Sequence, residues 1–120
     1  MNYNLESRTS RFGEIVIDFC KSIKPGLISD PIVRQLVRSS TSVGANYMEA
    51  NQASSRRDFS NKIRICQKEA NETKHWLKMV SVINDDYKNT CLYLYKEAHE
   101  LTLIFAAISR SLNKKFNIKN

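Results

Sequence analysis

Apolar residues recur along this chain at the three-to-four-residue spacing of amphipathic helices, with little of the strict alternation that marks half-buried strands. Phe12, Ile15, Val16, Phe19 and Ile23 form one stripe that Lys24-Pro25-Gly26 ends, predicting a first helix over about 9–23. Ser29-Asp30-Pro31 offers a capping side chain followed by a proline at the first helical position, where its missing N–H costs nothing. A second helix is therefore expected over 30–52, burying Val33, Leu36, Val37, Ser40, Val43 and Tyr47. Its middle, Ser39 to Ala45, is poor in helix propensity but small enough to allow a tight crossing. Ser55-Arg56-Arg57-Asp58 resembles a capping box with Asp in place of Glu, opening a third helix over 56–84, roughly 42 Å long. Its core stripe is Phe59, Ile63, Cys66, Ala70 and Leu77, with Val80 at the margin. Asp85 to Asn89 closes it, and a fourth helix over 90–114 repeats Leu94, Ala98, Leu101, Phe105, Ile108 and Leu112 at heptad-like intervals. The pattern predicts an all-α protein, a single antiparallel up-and-down four-helix bundle over 1–120.

Length and composition agree with one helical domain. A chain of 120 residues is short for two domains, and 3 Gly with 2 Pro are too few for the turns of a β-sandwich. The N-terminal stretch carries Glu6, Arg8 and Arg11 and has no apolar centre, so it does not read as a signal peptide. Leu101 to Ile108, the longest nearly apolar run, is far short of a bilayer span, so no membrane role and a cytoplasmic location are expected. Cys20, Cys66 and Cys91 are odd in number and widely spaced, and read as small packing residues, not as a disulfide framework or zinc site.

Charge narrows the partners. The net charge is +7, divided as +1 over 1–29, 0 over 30–55, +2 over 56–87 and +4 over 88–120, which suits a polyanion without forming a basic arm. On the third helix, Arg57, Arg64, Lys68, His75 and Lys78 fall within an arc of about 80° opposite the core, aligned over roughly 30 Å. This stripe is the candidate nucleic-acid surface. No aromatic residue interleaves it, so contact with RNA or DNA is expected to be electrostatic and weakly sequence-specific. The same helix carries an apolar shoulder, Ile65, Trp76, Met79 and Ile83, with Glu69 and Glu72 among them. The fourth helix places Leu92, Leu103 and Ala106 opposite its core. Exposed apolar faces point to self-association, unless loops or the tail with Phe116 and Ile118 cover them. On the second helix, Arg38, Ser42 and Glu49 share a flank, with Asn46 beside it. Arg38 is expected to meet Glu69 or Glu72, and Asn46 and Glu49 to bond backbone or basic groups, fixing helix register.

Catalytic chemistry finds little support. Glu72-Thr73-Lys74-His75 has the Glu-x-x-His spacing of di-iron bundles, but the only other histidine, His99, has Lys96 at the matching position. The chain carries no Gly-x-Ser-x-Gly, P-loop, dinucleotide or His-Glu-x-x-His motif. Ser39 to Ser42 have no histidine base in sequence reach and read as packing residues. No catalytic residue, metal or cofactor is expected.

The run Gln35-Leu36-Val37-Arg38-Ser39-Ser40-Thr41-Ser42-Val43-Gly44-Ala45-Asn46-Tyr47-Met48-Glu49-Ala50, with Ser55-Arg56-Arg57-Asp58-Phe59 and Lys68-Glu69-Ala70-Asn71-Glu72-Thr73-Lys74-His75-Trp76-Leu77, resembles the bacterial four-helix-bundle proteins encoded in intervening sequences of large-subunit ribosomal RNA genes. The resemblance spans about residues 11–112. It implies an up-and-down bundle, a ring-like homopentamer, and kinship with the basic accessory protein of diversity-generating retroelements, which works with a reverse transcriptase and nucleic acid. It implies no catalytic residues, and makes Arg38, Ser42, Asn46, Glu49, Glu69, Glu72 and Trp76 determinants of fold and assembly. The expected function is thus a non-catalytic homo-oligomer that binds RNA or DNA. A protein-interaction scaffold that does not touch nucleic acid is the alternative.

Overall fold

The structure, a computed structural model, describes residues 4–116, with side chains described over 4–114. Four helices follow one another: α1 (Leu5–Lys21), α2 (Ser29–Asn51), α3 (Arg56–Ile83) and α4 (Lys88–Phe116). Phe116 and Ile118, the tail residues expected to cover an apolar face, lie outside the described side chains.

Local chemistry sets each boundary, and the largest departure from expectation is at the start of α1. α1 starts a turn earlier than its apolar stripe suggests, because Leu5 reaches the core and Thr9 donates its hydroxyl to the Glu6 carbonyl at 3.1 Å. It also ends earlier, at Lys21. The amide and hydroxyl of Ser22 both bond to the Phe19 carbonyl, and buried Ile23 follows in the turn. At the head of α2 the cap is not Ser29, which is itself helical and buried. No side chain caps α2; Asp30, second in the helix, holds the preceding turn, its carboxylate accepting from the Gly26 amide at 3.1 Å and its own amide donating to the Gly26 carbonyl at 3.0 Å. Pro31 then stands third in the helix, still within the first turn, where amides have no helical acceptor. At α3 the Ser55 hydroxyl accepts from the Asp58 amide at 3.0 Å. Between α3 and α4, Asn84 accepts from the Asp86 amide at 2.9 Å, and the 3₁₀ turn Asp85–Tyr87 leads directly into the next helix.

Neighbouring helices run antiparallel. Arg38 stands opposite Glu69 and Glu72, Val43 opposite Cys66, and Glu49 opposite Lys62. The result is a rod of 47 × 25 × 20 Å. Its core is the predicted one in large part: Phe12, Val16, Leu36, Val43, Ile63, Leu77, Leu94, Leu101 and Phe105 are all buried. Val80, expected at the margin, is fully buried. The small residues of α2 do meet a close neighbour, and it is α1. A β-carbon on Gly44 would stand 3.3 Å from the Thr9 carbonyl and the Ser10 amide, and one on Gly13 would stand 3.5 Å from Thr41. The hydroxyls of Ser40, Thr41 and Ser42 bond back to carbonyls of their own helix, so the crossing leaves them satisfied.

α1 and α4 are tied by side chains the sequence reading did not pair. Arg8 forks onto Glu97 with two 2.8 Å bonds and reaches Glu100 at 2.8 Å. At the other end the Lys24 amide donates to the Tyr87 hydroxyl at 3.1 Å, and Tyr87 meets Phe19 edge-on at 5.9 Å. Among the described residues no helix is long and apolar enough to cross a membrane.

Candidate functional site

α3 has three working surfaces, and their chemistry follows from how its side chains are shared out around 3.6 residues per turn. On the flank toward α2, Arg38 donates to Glu69 at 3.1 Å and also to Glu72, while its Nε donates to Gln35 at 2.9 Å. Glu72 accepts the Trp76 indole N–H at 2.9 Å. Glu49 receives Lys62 at 2.7 Å, and that contact raises the lysine pKa. Asn46 donates to the Ser42 carbonyl one turn back, and Ser42 to that of Arg38. Arg38, Glu69 and Glu72 are thus brought together across the helix pair, whereas Ser42 and Asn46 bond within α2.

On the outward face, Arg57, Arg64, Lys68, His75 and Lys78 are all exposed. Among the described residues no carboxylate forms an ion pair with any of them. Glu69 and Glu72, two of the acids on α3, instead hold Arg38. His75 lies edge-on to the Trp76 ring at 4.8 Å.

The flank toward α4 carries the feature sequence reasoning missed. Lys74 and Lys78 place their ammonium groups 5.8 and 5.6 Å from the centre of the Tyr95 ring. Lys74 also lies 3.0 Å from His99 Nδ1. An ammonium can only donate, so Nδ1 is the acceptor there. The stripe has no aromatic in its own sequence, yet a neighbouring helix supplies one. A one-helix projection cannot reveal this; only the α3–α4 register does.

The apolar surfaces are divided more finely than expected. Trp76 and Ile83 pack partly against the core of their own chain, so the shoulder is half-covered and not wholly wet. Ile65 and Met79 are likewise half-buried. Leu92 and Leu103 are exposed on α4, Leu92 at the α3–α4 groove. The most exposed large apolar residues were not foreseen: Leu27 (94%), Ile28 (71%) and Val82 (77%). They line an apolar hollow of about 630 Å³ with Ile32, Met79 and Ile83. Leu27 and Ile28 sit in a turn outside any helical repeat, so periodicity had no hold on them; two large aliphatics after Pro-Gly were the only signal.

The cysteines are unpaired, and burial raises all three thiol pKa values: Cys66 to about 12, Cys20 and Cys91 to about 11, Cys20 with a further push from Cys91. Such thiols are poor nucleophiles. Among the described residues no group of three or more His, Cys, Asp or Glu side chains is placed to hold a metal.

The model of the 23S rRNA-intervening sequence protein family matches residues 12–114. The chain belongs to that family. It is also similar to a crystal structure from Bacteroides thetaiotaomicron VPI-5482, described as a protein of unknown function from the S23 ribosomal protein family. That likeness has a TM-score of 0.78 and 28% identity, over 92% of this chain and 99% of that one. Among curated proteins none matches.

Proposed function

We propose that this family member is a non-catalytic, self-associating bundle that binds RNA or DNA through the outward face of α3. One observation carries the reading. Arg38 engages Glu69 and Glu72, Lys62 engages Glu49, and Arg57, Arg64 and Lys68 are left without a carboxylate ion-pair partner among the described residues. Phosphate is the ligand that such a line of cations suits. Self-association fits the exposure of Leu27, Ile28, Val82, Leu92 and Leu103. The family resemblance suggests five copies, which would pool +35 and turn weak contacts into useful avidity.

Gel-shift titration at two salt concentrations tests the reading, with Arg57→Gln/Arg64→Gln/Lys68→Gln as the comparison. Retardation at low salt that weakens in the variant, with a salt slope shallower by about 3, is the expected result. No retardation at low salt rejects it. A native mass near 14 kDa at high concentration would reject self-association. The hollow around Leu27, Ile28 and Val82 favours a second reading, a protein-interaction scaffold whose charge serves solubility. A partner that stays bound after nuclease treatment would support it.

A further inference from the structure

The α3–α4 groove combines two features that need not occur together: an apolar floor, and cations without counter-charge at its edge. Leu77, Cys91, Leu92 and Tyr95 line a hollow of about 440 Å³, with Ser81, Lys78 and Lys88 at its sides. Lys88 is held by Asp85 at 3.2 Å, and the Ser81 hydroxyl by the Lys78 carbonyl at 2.6 Å. Lys78 and Lys74 differ. They stand one turn apart on the same flank, where like charges repel each other, and both converge on the Tyr95 ring. No carboxylate among the described residues pairs with either, and Lys74 lies against the His99 imidazole. A ligand anion placed between these ammonium groups would relieve their repulsion, while a flat apolar group attached to it would cover Leu92, which is 54% exposed.

A nucleotide has that pairing of a planar base with a phosphate. We propose that this groove takes one unpaired nucleotide of a single strand, its base against Leu92 and Tyr95 and its phosphate between Lys74 and Lys78. The inference rests on the nucleic-acid reading above and makes it specific. Bases within a duplex are stacked and paired, out of reach of such a groove, so single strands are favoured over duplexes. The groove presents few hydrogen-bonding groups to base edges, so its preference among bases is weak.

The test uses the whole chain and two kinds of probe. In the first, AMP, ribose 5-phosphate and inorganic phosphate are titrated separately while NMR follows the Tyr95 ring and Leu92 methyl signals. AMP is expected to shift both saturably. Lys78→Gln should weaken its binding about threefold or more, Tyr95→Leu about fivefold or more, and Tyr95→Phe, which keeps the ring and controls for folding, little. Inorganic phosphate or ribose 5-phosphate moving the Leu92 signal as strongly as AMP, or AMP leaving both signals unmoved, overturns the base site. In the second, a single strand and a duplex of one sequence are compared. Single-strand preference that Tyr95→Leu abolishes supports the proposal. Equal binding of the two forms, unchanged in Tyr95→Leu but lost in the triple variant of the stripe, overturns the groove and leaves the stripe reading standing. AMP binding with neither polymer retained overturns the strand as occupant, and with it the stripe reading.

Discussion

Along its α2 flank, α3 meets a neighbour whose charge and hydrogen bonds answer its own; along its α4 flank, it meets one that leaves two lysines facing an aromatic ring. On the first side Glu69 and Glu72 hold Arg38, Glu72 also takes the Trp76 indole, and Thr73 lies 3.0 Å from the Ser39 hydroxyl in the buried seam. On the second side Lys74 and Lys78 share Tyr95, and no acid joins them among the described residues. One helix thus carries an electrostatically closed seam and an open one, about half a turn of its circumference apart. The closed seam favours the alignment of α2 on α3 that brings Arg38 within reach of both glutamates. The open seam contributes no ion pair to register and leaves Lys74 and Lys78 without a carboxylate partner among the described residues. Ion pairing inside a small bundle is therefore informative about function mainly through the cations it leaves out.

Breaking the closed seam should give the largest effect. Arg38→Met leaves Glu69, whose side chain is 11% exposed, without its cation. A fully buried pair broken this way loses roughly 3–5 kcal/mol; here Arg38 is itself 43% exposed, so a loss of about 2 kcal/mol is expected. It should appear as a lower urea midpoint at unchanged slope. In a double-mutant cycle with Glu69→Gln, Arg38 should show coupling on the order of 1 kcal/mol. The Lys74–His99 contact, cycled in the same way, should stay under about 0.5 kcal/mol. Equal coupling on the two flanks would erase the contrast.

The buried thiols report on the same two flanks. Cys66 lies on the closed side, its Sγ 3.6 Å from the Val43 carbonyl, and burial pushes it up to about 12; Cys91 lines the open groove at about 11. Both folded values exceed that of a free thiol, near 8.5. The native chain therefore keeps protons that the unfolded chain has lost, and this part of the stability is intact below about pH 8.5 and declines as pH rises toward 11–12. Urea denaturation at pH 8 and pH 10 should show the fall, and Cys66→Ala should make it shallower. A thiol reagent at pH 8 should modify Cys91 before Cys66, since opening of α3 from α4 suffices for the first. Simultaneous modification of the two would mean that the flanks open as one unit.

How much of this the sequence discloses depends on the range of the interaction. Stripes such as Phe12–Val16 and Leu94–Ala98–Leu101–Phe105 are set by one helix and its burial, so periodicity finds them. Arg38 with Glu69 and Glu72 is also legible, since an arginine and two carboxylates on facing flanks leave few alternatives. Leu5 and the bond from the Gly26 amide to the Asp30 carboxylate are not, because each depends on a turn's path and not on a repeat. Arg8 with Glu97 and Tyr95 with Lys78 were hidden for another reason: they join residues on separate helices, and each pairing depends on an axial offset that no single-helix pattern contains. The half-covered state of Trp76 belongs with them, since a helical projection shows direction but not the depth of the neighbouring helix.

The smallest expected effect separates repulsion from burial on the open side. Lys78→Gln removes one of two like charges one turn apart and keeps most of the stem that lies along the groove. Like-charge pairs at this spacing cost a few tenths of a kcal/mol, while loss of the exposed cation–π contact costs about as much or slightly more, so the net change should lie within about 0.5 kcal/mol. Salt tells the two contributions apart. Screening at 1 M shortens the reach of the Lys74–Lys78 repulsion far more than it alters packing against Tyr95. The wild-type chain should therefore gain slightly more stability than Lys78→Gln between 0.1 M and 1 M sodium chloride, as measured by thermal denaturation of both. A variant that gains as much as the wild type would show that the two ammonium groups do not repel across the ring, and the open flank would then be as balanced as the closed one.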